Sequence, residues 1–413
     1  MAANGLGNRK DFPFIEGLRG FAALQVVLLH YCSFFLPTLG RVDGPVHLGW
    51  ETAVANSPAF LPLDGYVAVN LFFIMSGFVL ARSLIETRLG IAATILKRLL
   101  RLFLPAIAAI LFALVLTTFL TAAREAAVAL SGSIWAANLY RNPGTAASIL
   151  KDALLSSLLL GYQGASLIDR PPGAVGWASP LSNAFVPPLW TLHVEFWGSM
   201  LVLCLAQAYR RLPQWLFLML AAGVVAGLGL ERYSMFVVGF CAYVFHDRLL
   251  RPRGWAVACT GLLMIPLAAY VRSPGNIPWL IATEAILLFA APVLCPPLRR
   301  WLVLPLPMWL GRLSFSVYLL HFPVLFTIGA AVFVKASPLG YLPACLISLI
   351  AGTAVTFVAA DLFERFVDRP AIASARRIAM LMGRPGRAAL PTAAGEGDLA
   401  PVPQPLSPRD FPG

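Results

Sequence analysis

The chain has 413 residues, of which 59% are hydrophobic and only 12% carry a charge. A soluble domain has about 25% charged residues, so this composition excludes an ordinary water-soluble protein and predicts an integral membrane protein. The net charge is +12, but the lysines and arginines stand in small groups between apolar runs, as loop charges do in membrane proteins. We therefore expect a lipid bilayer, and no nucleic acid, as the partner of this charge.

The six cysteines are scattered and form no CxxC pair, which argues against a disulfide framework or a zinc site. The H-x-E spacing of His193 and Glu195 also lacks the HExxH pattern of zinc peptidases. We expect no bound metal.

Ten apolar runs predict a polytopic all-α bundle of about ten transmembrane helices. Each run approaches the ~20 residues that cross a bilayer. In chain order, the runs cover roughly 13–36, 62–84, 97–121, 189–209, 213–231, 233–249, 254–272, 278–295, 307–334 and 341–366.

The runs divide the chain into an N-terminal segment, 1–12, a transmembrane domain, 13–372, and a tail, 373–413, which we expect to be disordered. One outer connection, 122–188, is long for a simple link. It contains the stretch SILKDALLSSLLLGY, a candidate for a short or re-entrant helix, and ends in a Pro- and Gly-rich run that predicts a loop.

The loop charges predict the orientation of the bundle. With a cytoplasmic N-terminus, twenty of the 31 lysines and arginines fall in inner segments and eight in outer segments. Positive charge favours the cytoplasmic side, so we expect both termini there. The richness in Arg, Ala and Pro is typical of a GC-rich bacterium, and we expect a multi-pass protein of the bacterial inner membrane.

The first apolar run contains two ionisable residues, Arg19 and His30, eleven positions apart. Eleven residues make about three helical turns, so both lie on one face, roughly 16 Å apart along the axis. Imidazole suits general-base work on a hydroxyl, and the shared face predicts a transmembrane path. Alternatively, Arg19 extends to the inner surface and His30 lies at the outer interface, unconnected.

The third run opens with Arg98 and Arg101, three positions apart on one helical face. They are either a positive flank of the span or a clamp for phosphate oxygens, which arginine binds in a fork. Asn70, midway along the second run, is a buried polar candidate.

Charged and polar residues recur in two later runs. Glu195 is costly to bury, while His193 points about 200° away and should not share its site. His321 lies near the middle of the ninth run and is either functional or a hydrogen-bonded packing residue. Ser314 and Tyr318, four apart on the same helix, are candidates for interhelical polar contacts.

Several of these motifs, in this order, resemble the membrane-bound acyltransferase family 3, the O-acetylases of cell-surface sugars. Arg19 and His30 in RGFAALQVVLLH are similar to the basic-residue-x10-histidine motif of its first helix. VAVNLFFIMSGFVL resembles its V-D-x-F-F-x-x-S-G-F segment, with Asn70 where aspartate is common. RLLRLFLP, with Arg98 and Arg101, resembles its RxxR motif followed by proline.

The resemblance continues to the end of the transmembrane domain and spans about residues 13–372. LWTLHVEFW carries Glu195 at the family's acidic position, and LGRLSFSVYLLHFPV carries His321 at its histidine position. FVDRPAI resembles the family's F-x-E-x-P ending, with Asp368 in place of glutamate.

The resemblance implies an O-acyltransferase without a bound cofactor, in which cytoplasmic acyl-CoA, usually acetyl-CoA, is the co-substrate and a glycan or glycolipid hydroxyl is the acceptor. Arg98 and Arg101 would receive the CoA phosphates, and Arg19 would steer the donor. His30 would deprotonate the acceptor, with His321 a further catalytic candidate. Glu195 would orient a histidine or hold the acceptor.

Two other classes of protein remain open from the residues alone. Buried Arg, His and Glu side chains also build the proton relays of membrane transporters, although no pair of matching interrupted helices suggests inverted repeats. A membrane scaffold would tolerate the loss of Arg19 or His30.

Overall fold

The computed structural model describes residues 12–142, 144–164, 178–251, 254–271 and 277–382, and in these residues the chain is almost entirely helical, with no strand. The α-helices are α1 (Pro13–Phe35), α2 (Glu51–Ala55), α3 (Gly65–Ile85), α4 (Ile91–Ser131), α5 (Ile134–Ala137), α6 (Ala146–Lys151), α7 (Trp190–Arg211), α8 (Gln214–Leu228), α9 (Arg232–Val244), α10 (His246–Leu249), α11 (Trp255–Val271), α12 (Pro278–Leu294), α13 (Pro296–Leu302), α14 (Pro305–Val324), α15 (Ala330–Ala336), α16 (Tyr341–Phe363) and α17 (Arg369–Met382).

Three of these helices continue into π-helical segments. Asp152–Leu160 follows α6, Leu325–Gly329 joins α14 to α15, and Glu364–Asp368 joins α16 to α17. π-helical turns are frequent at functional sites, and the last of these segments carries Asp368.

Six helical segments among the described residues are long and apolar enough to cross a membrane, which confirms an all-α membrane bundle. They are Pro13–Phe35, Gly65–Ile85, Ile91–Thr118, Pro187–Arg211, Pro305–Leu339 and Tyr341–Met382. The pair α12 and α13, bent by 96°, would make a seventh span, and α8, α9 and α11 are shorter apolar helices. The ten predicted runs are all helical, but a total of ten crossings stays a prediction.

The outer connection and the tail differ in detail from the sequence-based expectations. The helix of the third predicted run, α4, extends to Ser131, ten residues beyond the predicted end at 121. Gly132 caps it, with a left-handed φ of 61° that suits glycine. The stretch SILKDALLSSLLLGY does form a short helix, α6 with its π-helical continuation. Of the Pro- and Gly-rich run that follows, 169–188, the part 169–177 lies outside the described residues, and the rest is irregular apart from the short 3-10 helices Leu181–Asn183 and Pro187–Leu189.

The expectation of a disordered tail from residue 373 is wrong for residues 373–382, which form most of α17. This helix is amphipathic. Three alanines spaced four residues apart, Ala371, Ala375 and Ala379, are buried on the face of α17 that packs against α4. Pattern reasoning missed the helix because small residues, rather than large apolar ones, form its packed face. Residues 383–413 and nearly all of 1–12 lie outside the described part of the chain.

Asp64 begins α3 and shows how a helix start is stabilised beside the apolar spans. Its Oδ1 atom accepts hydrogen bonds from the backbone N–H groups of Tyr66 (3.1 Å) and Val67 (3.2 Å). Burial raises the pKa of this carboxyl, and those two bonds together with nearby Arg41 oppose the rise. The cap therefore satisfies two backbone donors that the first helical turn leaves without partners.

Glycines bring α1 and α14 close together. A Cβ atom at Gly311 would collide with the backbone carbonyl of Glu16, and one at Gly20 with the backbone of Leu310 and Gly311. Small residues at such crossings let helices approach closely where no hydrophobic effect drives them together. This contact joins α1, which carries Arg19 and His30, to α14, which carries Tyr318 and His321.

We predict that Gly311→Ala lowers the thermal stability of the detergent-solubilised protein, because the new methyl group must displace the backbone of α1. Overpacking of this kind costs about 1–3 kcal/mol. The matched control is Gly223→Ala in α8, where a Cβ meets nothing within 4 Å. The control should leave Tm unchanged or raise it, because alanine favours helices over glycine. Equal Tm changes in both variants would contradict the close-contact interpretation.

Candidate active site

A cavity of about 180 Å³ lies between α1, α3, α4, α7 and α14. Its wall combines apolar side chains with three arginines and one glutamate. The lining residues are Arg19, Val69, Phe72, Phe73, Met75, Ser76, Val79, Leu80, Arg98, Arg101, Leu102, Thr191, Leu192, Glu195, Ser314, Phe315 and Tyr318. Five helices thus contribute to one polar cavity inside an apolar bundle.

Two of the three arginines are paired with carboxylates from other helices. Arg98 donates to Glu195 Oε1 on α7, and the side chains of this pair are 19% and 15% exposed. Arg101 donates to both carboxylate oxygens of Asp368, with a distance of 3.4 Å from Nη2 to Oδ2, and its guanidinium lies over the Phe315 ring. Each pair offsets a charge that would be costly to bury alone.

The third arginine, Arg19, has the looser ion pair. Its Nη1 atom lies 3.5 Å from Oε1 of Glu16, one turn earlier on α1, and both side chains are partly exposed. Arg19 and Arg98 are close enough to Arg101 to repel it electrostatically. The cavity therefore concentrates three cations against the carboxylates of Glu195 and Asp368.

The sequence-based grouping of Arg98 and Arg101 on one face holds, since both line the cavity. Neither is an unpaired cation, however, so an incoming phosphate would have to share or replace the carboxylates. The Nε atom of Arg98 is buried without a hydrogen-bond partner among the described residues and offers one donor for such an anion. Asp368 was not predicted as a site residue, because 267 residues separate it from its partner Arg101.

His30 and His321 meet directly. His30 Nδ1 lies 2.7 Å from His321 Nε2, and the two ring planes are nearly parallel, at 9°. His321 is fully buried, and its Nδ1 atom lies 3.0 Å from the backbone carbonyl oxygen of Val317. The sequence offered both histidines as candidates, but nothing in it indicated that they touch.

Tyr318 separates the histidine pair from the cavity. Its ring lines the cavity and lies 6.0 Å, between ring centroids, from the ring of His321. Its hydroxyl oxygen accepts a hydrogen bond from Thr191 (2.9 Å) and lies 3.3 Å from the carbonyl oxygen of Pro188. Of the residues predicted to line one path along α1, Arg19 lines this cavity, whereas His30 is not among the lining residues and meets His321 instead.

The supporting polar residues divide into two groups. Tyr318 makes the expected interhelical contact, whereas the Ser314 hydroxyl donates to Gly311 in its own helix (2.7 Å) and Ser314 lines the cavity. The Asn70 amide donates to the Tyr66 carbonyl one turn earlier (3.2 Å). Asn70 is absent from the cavity wall.

His193 and Glu195 point to different places, as their spacing predicted. His193 is buried, and its Nδ1 atom lies 3.1 Å from the carbonyl oxygen of Leu158 in the π-helical part of the outer connection. Glu195 meets Arg98 instead of a histidine, so its expected role of orienting a histidine has no support in this geometry.

Aromatic residues from the outer connection cover the histidine pair. The Trp135 ring stacks on the His30 ring, with a centroid distance of 5.8 Å and an angle of 12°. Tyr140 stacks on Phe322, which makes an edge contact with His30. Sequence reasoning missed Trp135 because an isolated tryptophan in a connection carries no pattern.

The fold and site define a multi-pass helical membrane protein with an arginine-lined cavity and a histidine pair, of which His321 is fully buried and His30 partly buried. The family model of the acyltransferase domain, acyltransferase family 3, matches residues 12–361. The chain belongs to this family and is a membrane acyltransferase. No curated protein and no solved structure matches the chain.

We predict that Glu195→Leu lowers Tm markedly in detergent, because it leaves Arg98 without its carboxylate in an enclosed site. Breaking a fully buried pair costs about 3–5 kcal/mol, and the partial exposure here reduces that figure. The double variant Arg98→Met/Glu195→Leu should recover much of the loss.

The matched control for this prediction is Arg365→Met. It breaks the Arg365–Asp361 pair, whose side chains are 56% and 26% exposed, and should cost less than about 1 kcal/mol. A double variant no more stable than Glu195→Leu would contradict the pairing argument.

Proposed function

We propose that this acyltransferase moves an acetyl group from cytoplasmic acetyl-CoA to a hydroxyl of a cell-surface or exopolysaccharide sugar, or of its glycolipid precursor. The observation that carries the proposal is the arrangement of a cation-rich cavity and a histidine pair, connected through Tyr318, which lines the cavity and whose ring lies 6.0 Å from the ring of His321. A polyanionic donor and a proton-accepting base are the two requirements of acyl transfer from a CoA thioester to a hydroxyl.

The donor part of the proposal rests on Arg19, Arg98 and Arg101. Guanidinium groups bind phosphate oxygens in two-pronged hydrogen bonds, and an apolar surrounding strengthens them. The donor phosphates would share these groups with Glu195 and Asp368, and the apolar remainder of the cavity wall suits the pantetheine arm. From the level of Arg19 the thioester would travel about 16 Å to reach His30.

The chemical step assigned to His30 is general-base catalysis. Its imidazole takes the proton of the acceptor hydroxyl while the oxygen forms a bond to the thioester carbonyl carbon. The tetrahedral intermediate collapses, the carbon–sulfur bond breaks, and the departing thiolate receives the proton from the imidazolium. A base of this kind is worth about 10²–10⁴-fold in rate.

The orientation belongs to the same proposal. The excess of lysine and arginine on the side where α1 begins supports both termini in the cytoplasm of a bacterium, with the protein in its inner membrane. In that orientation the arginines of the cavity lie toward the cytoplasmic supply of acetyl-CoA. His30, near the end of α1, lies toward the outer surface, where the sugar acceptor would arrive.

We predict that membranes containing the native chain transfer label from acetyl-labelled acetyl-CoA to an endogenous glycan or glycolipid. His30→Ala at matched expression should reduce the rate by about 10²–10⁴-fold, the usual contribution of a general base. Radiolabel in the extracted glycan and lipid fractions is the measurement.

The matched control is His246→Leu. His246, in α10, also faces a nearby backbone carbonyl through Nδ1, that of Tyr243 at 2.6 Å, and it packs against Phe12, away from the histidine pair. It should keep native transfer. Equal transfer in native protein and His30→Ala would overturn the role of His30, and no transfer by native membranes would overturn acetyl-CoA as the donor.

A further inference from the structure

The hydrogen-bond partners of the two histidines indicate which of their ring nitrogens carry protons. An imidazole has two ring nitrogens, and in the neutral form one carries a proton while the other is a bare acceptor. The partners of each nitrogen therefore determine which tautomer is present. In this protein, one ring nitrogen of His321 faces the backbone carbonyl of Val317.

A backbone carbonyl oxygen such as that of Val317 only accepts hydrogen bonds. His321 Nδ1, 3.0 Å away, must donate and so carries a proton. In the neutral imidazole, His321 Nε2 is then bare and accepts from its own partner, His30 Nδ1, at 2.7 Å. The proton between the two rings consequently belongs to His30, and the remaining nitrogen of His30, Nε2, has the free lone pair.

We infer that His321 is a positioning residue that holds His30 in the tautomer whose Nε2 atom is the base. This inference rests on the proposed acyl transfer for its catalytic meaning, but the tautomer itself does not. Both ring nitrogens of His321 are engaged, by Val317 and by His30, so neither is left to accept a proton from a substrate hydroxyl. His321 is thereby removed as an alternative base.

The surroundings of His321 suit a positioning role. The side chain is fully buried, and the rings of Tyr318 and Phe322, at centroid distances of 6.0 and 6.1 Å, restrict its orientation. A fixed acceptor behind a catalytic imidazole has the same function as the aspartate of a serine protease triad, which selects tautomer and orientation. Because the His321 imidazole is neutral, it supplies that geometry but stabilises the imidazolium of His30 less than a carboxylate would.

In the transfer step, the proton of the acceptor hydroxyl moves to His30 Nε2 as the oxygen bonds to the acyl carbon. His30 is then an imidazolium whose Nδ1–H remains hydrogen-bonded to His321 Nε2. When the carbon–sulfur bond breaks, the Nε2 proton passes to the thiolate, and both rings return to their initial state. His321 neither gains nor loses a proton in the cycle.

The functional test compares two substitutions at one position. In His321→Gln the amide oxygen can take the place of Nε2 as acceptor, whereas His321→Leu has a similar size and no acceptor. We expect the Gln variant to keep its kcat within about 10-fold of native and the Leu variant to lose about 10²–10⁴-fold, the range of a general base, with KM for acetyl-CoA little changed in both.

The structural test needs no acyl transfer. In the purified, ¹⁵N-histidine-labelled full chain, NMR distinguishes protonated from bare ring nitrogens, and signals missing in His30→Gln and His321→Gln assign the two residues among the five histidines. We expect a protonated Nδ1 and a bare Nε2 for His30, and a protonated Nδ1 for His321.

A His30 ring with its proton on Nε2, or with both nitrogens protonated at neutral pH, overturns the inference. Native kcat in His321→Leu, or equal losses in the Gln and Leu variants, also overturns it. The expected tautomers together with an absence of transfer by native protein would instead leave the positioning geometry intact and refute the proposed function. If the Leu variant does not fold, the spectrum of the native chain decides.

Discussion

The structure depends on one electrostatic constraint, that an arginine inside an apolar bundle must have a carboxylate beside it. Arg98 and Arg101, three residues apart on α4, satisfy it with Glu195 on α7 and Asp368 between α16 and α17. An uncompensated charge at such a place would cost several kcal/mol, so the pairs constrain how these helices meet. The polar cavity exists because α4 is joined on both sides in this way.

The same pairs would suit the cavity to the anionic donor proposed above. Charged groups already held by neighbouring helices need little rearrangement when a ligand of opposite sign arrives, which is the advantage of a preorganised site. Arg19 is less tightly paired, and the buried Nε atom of Arg98 has no partner among the described residues. For the proposed donor, a CoA thioester, these are the groups that can bind phosphate oxygens without first losing a carboxylate.

The second requirement is close helix packing at the histidine pair. His30 and His321, 2.7 Å apart, lie on α1 and α14, and these helices come almost into backbone contact at Gly20 and Gly311, where there is no side chain to keep them apart. Tyr318 then stands between the histidines and the cavity, held by Thr191. The arginines proposed to bind the donor thus line the cavity, while the proposed base, His30, is not among the lining residues.

The sequence by itself determined that the protein lies in a membrane, that it is helical, which family it belongs to and which charged residues fall within the apolar runs. These properties follow from apolar runs and intramembrane charges, which are local, costly features of a sequence. The sequence did not determine partners. Asp368 meets Arg101, and His321 meets His30 instead of Glu195, across separations of 267 and 291 residues. The sequence-based prediction also missed helix α17 and the stacking of the Trp135 ring on the His30 ring. Only the tertiary structure decided these contacts, because helix periodicity specifies which face a residue occupies and packing alone specifies what that face meets.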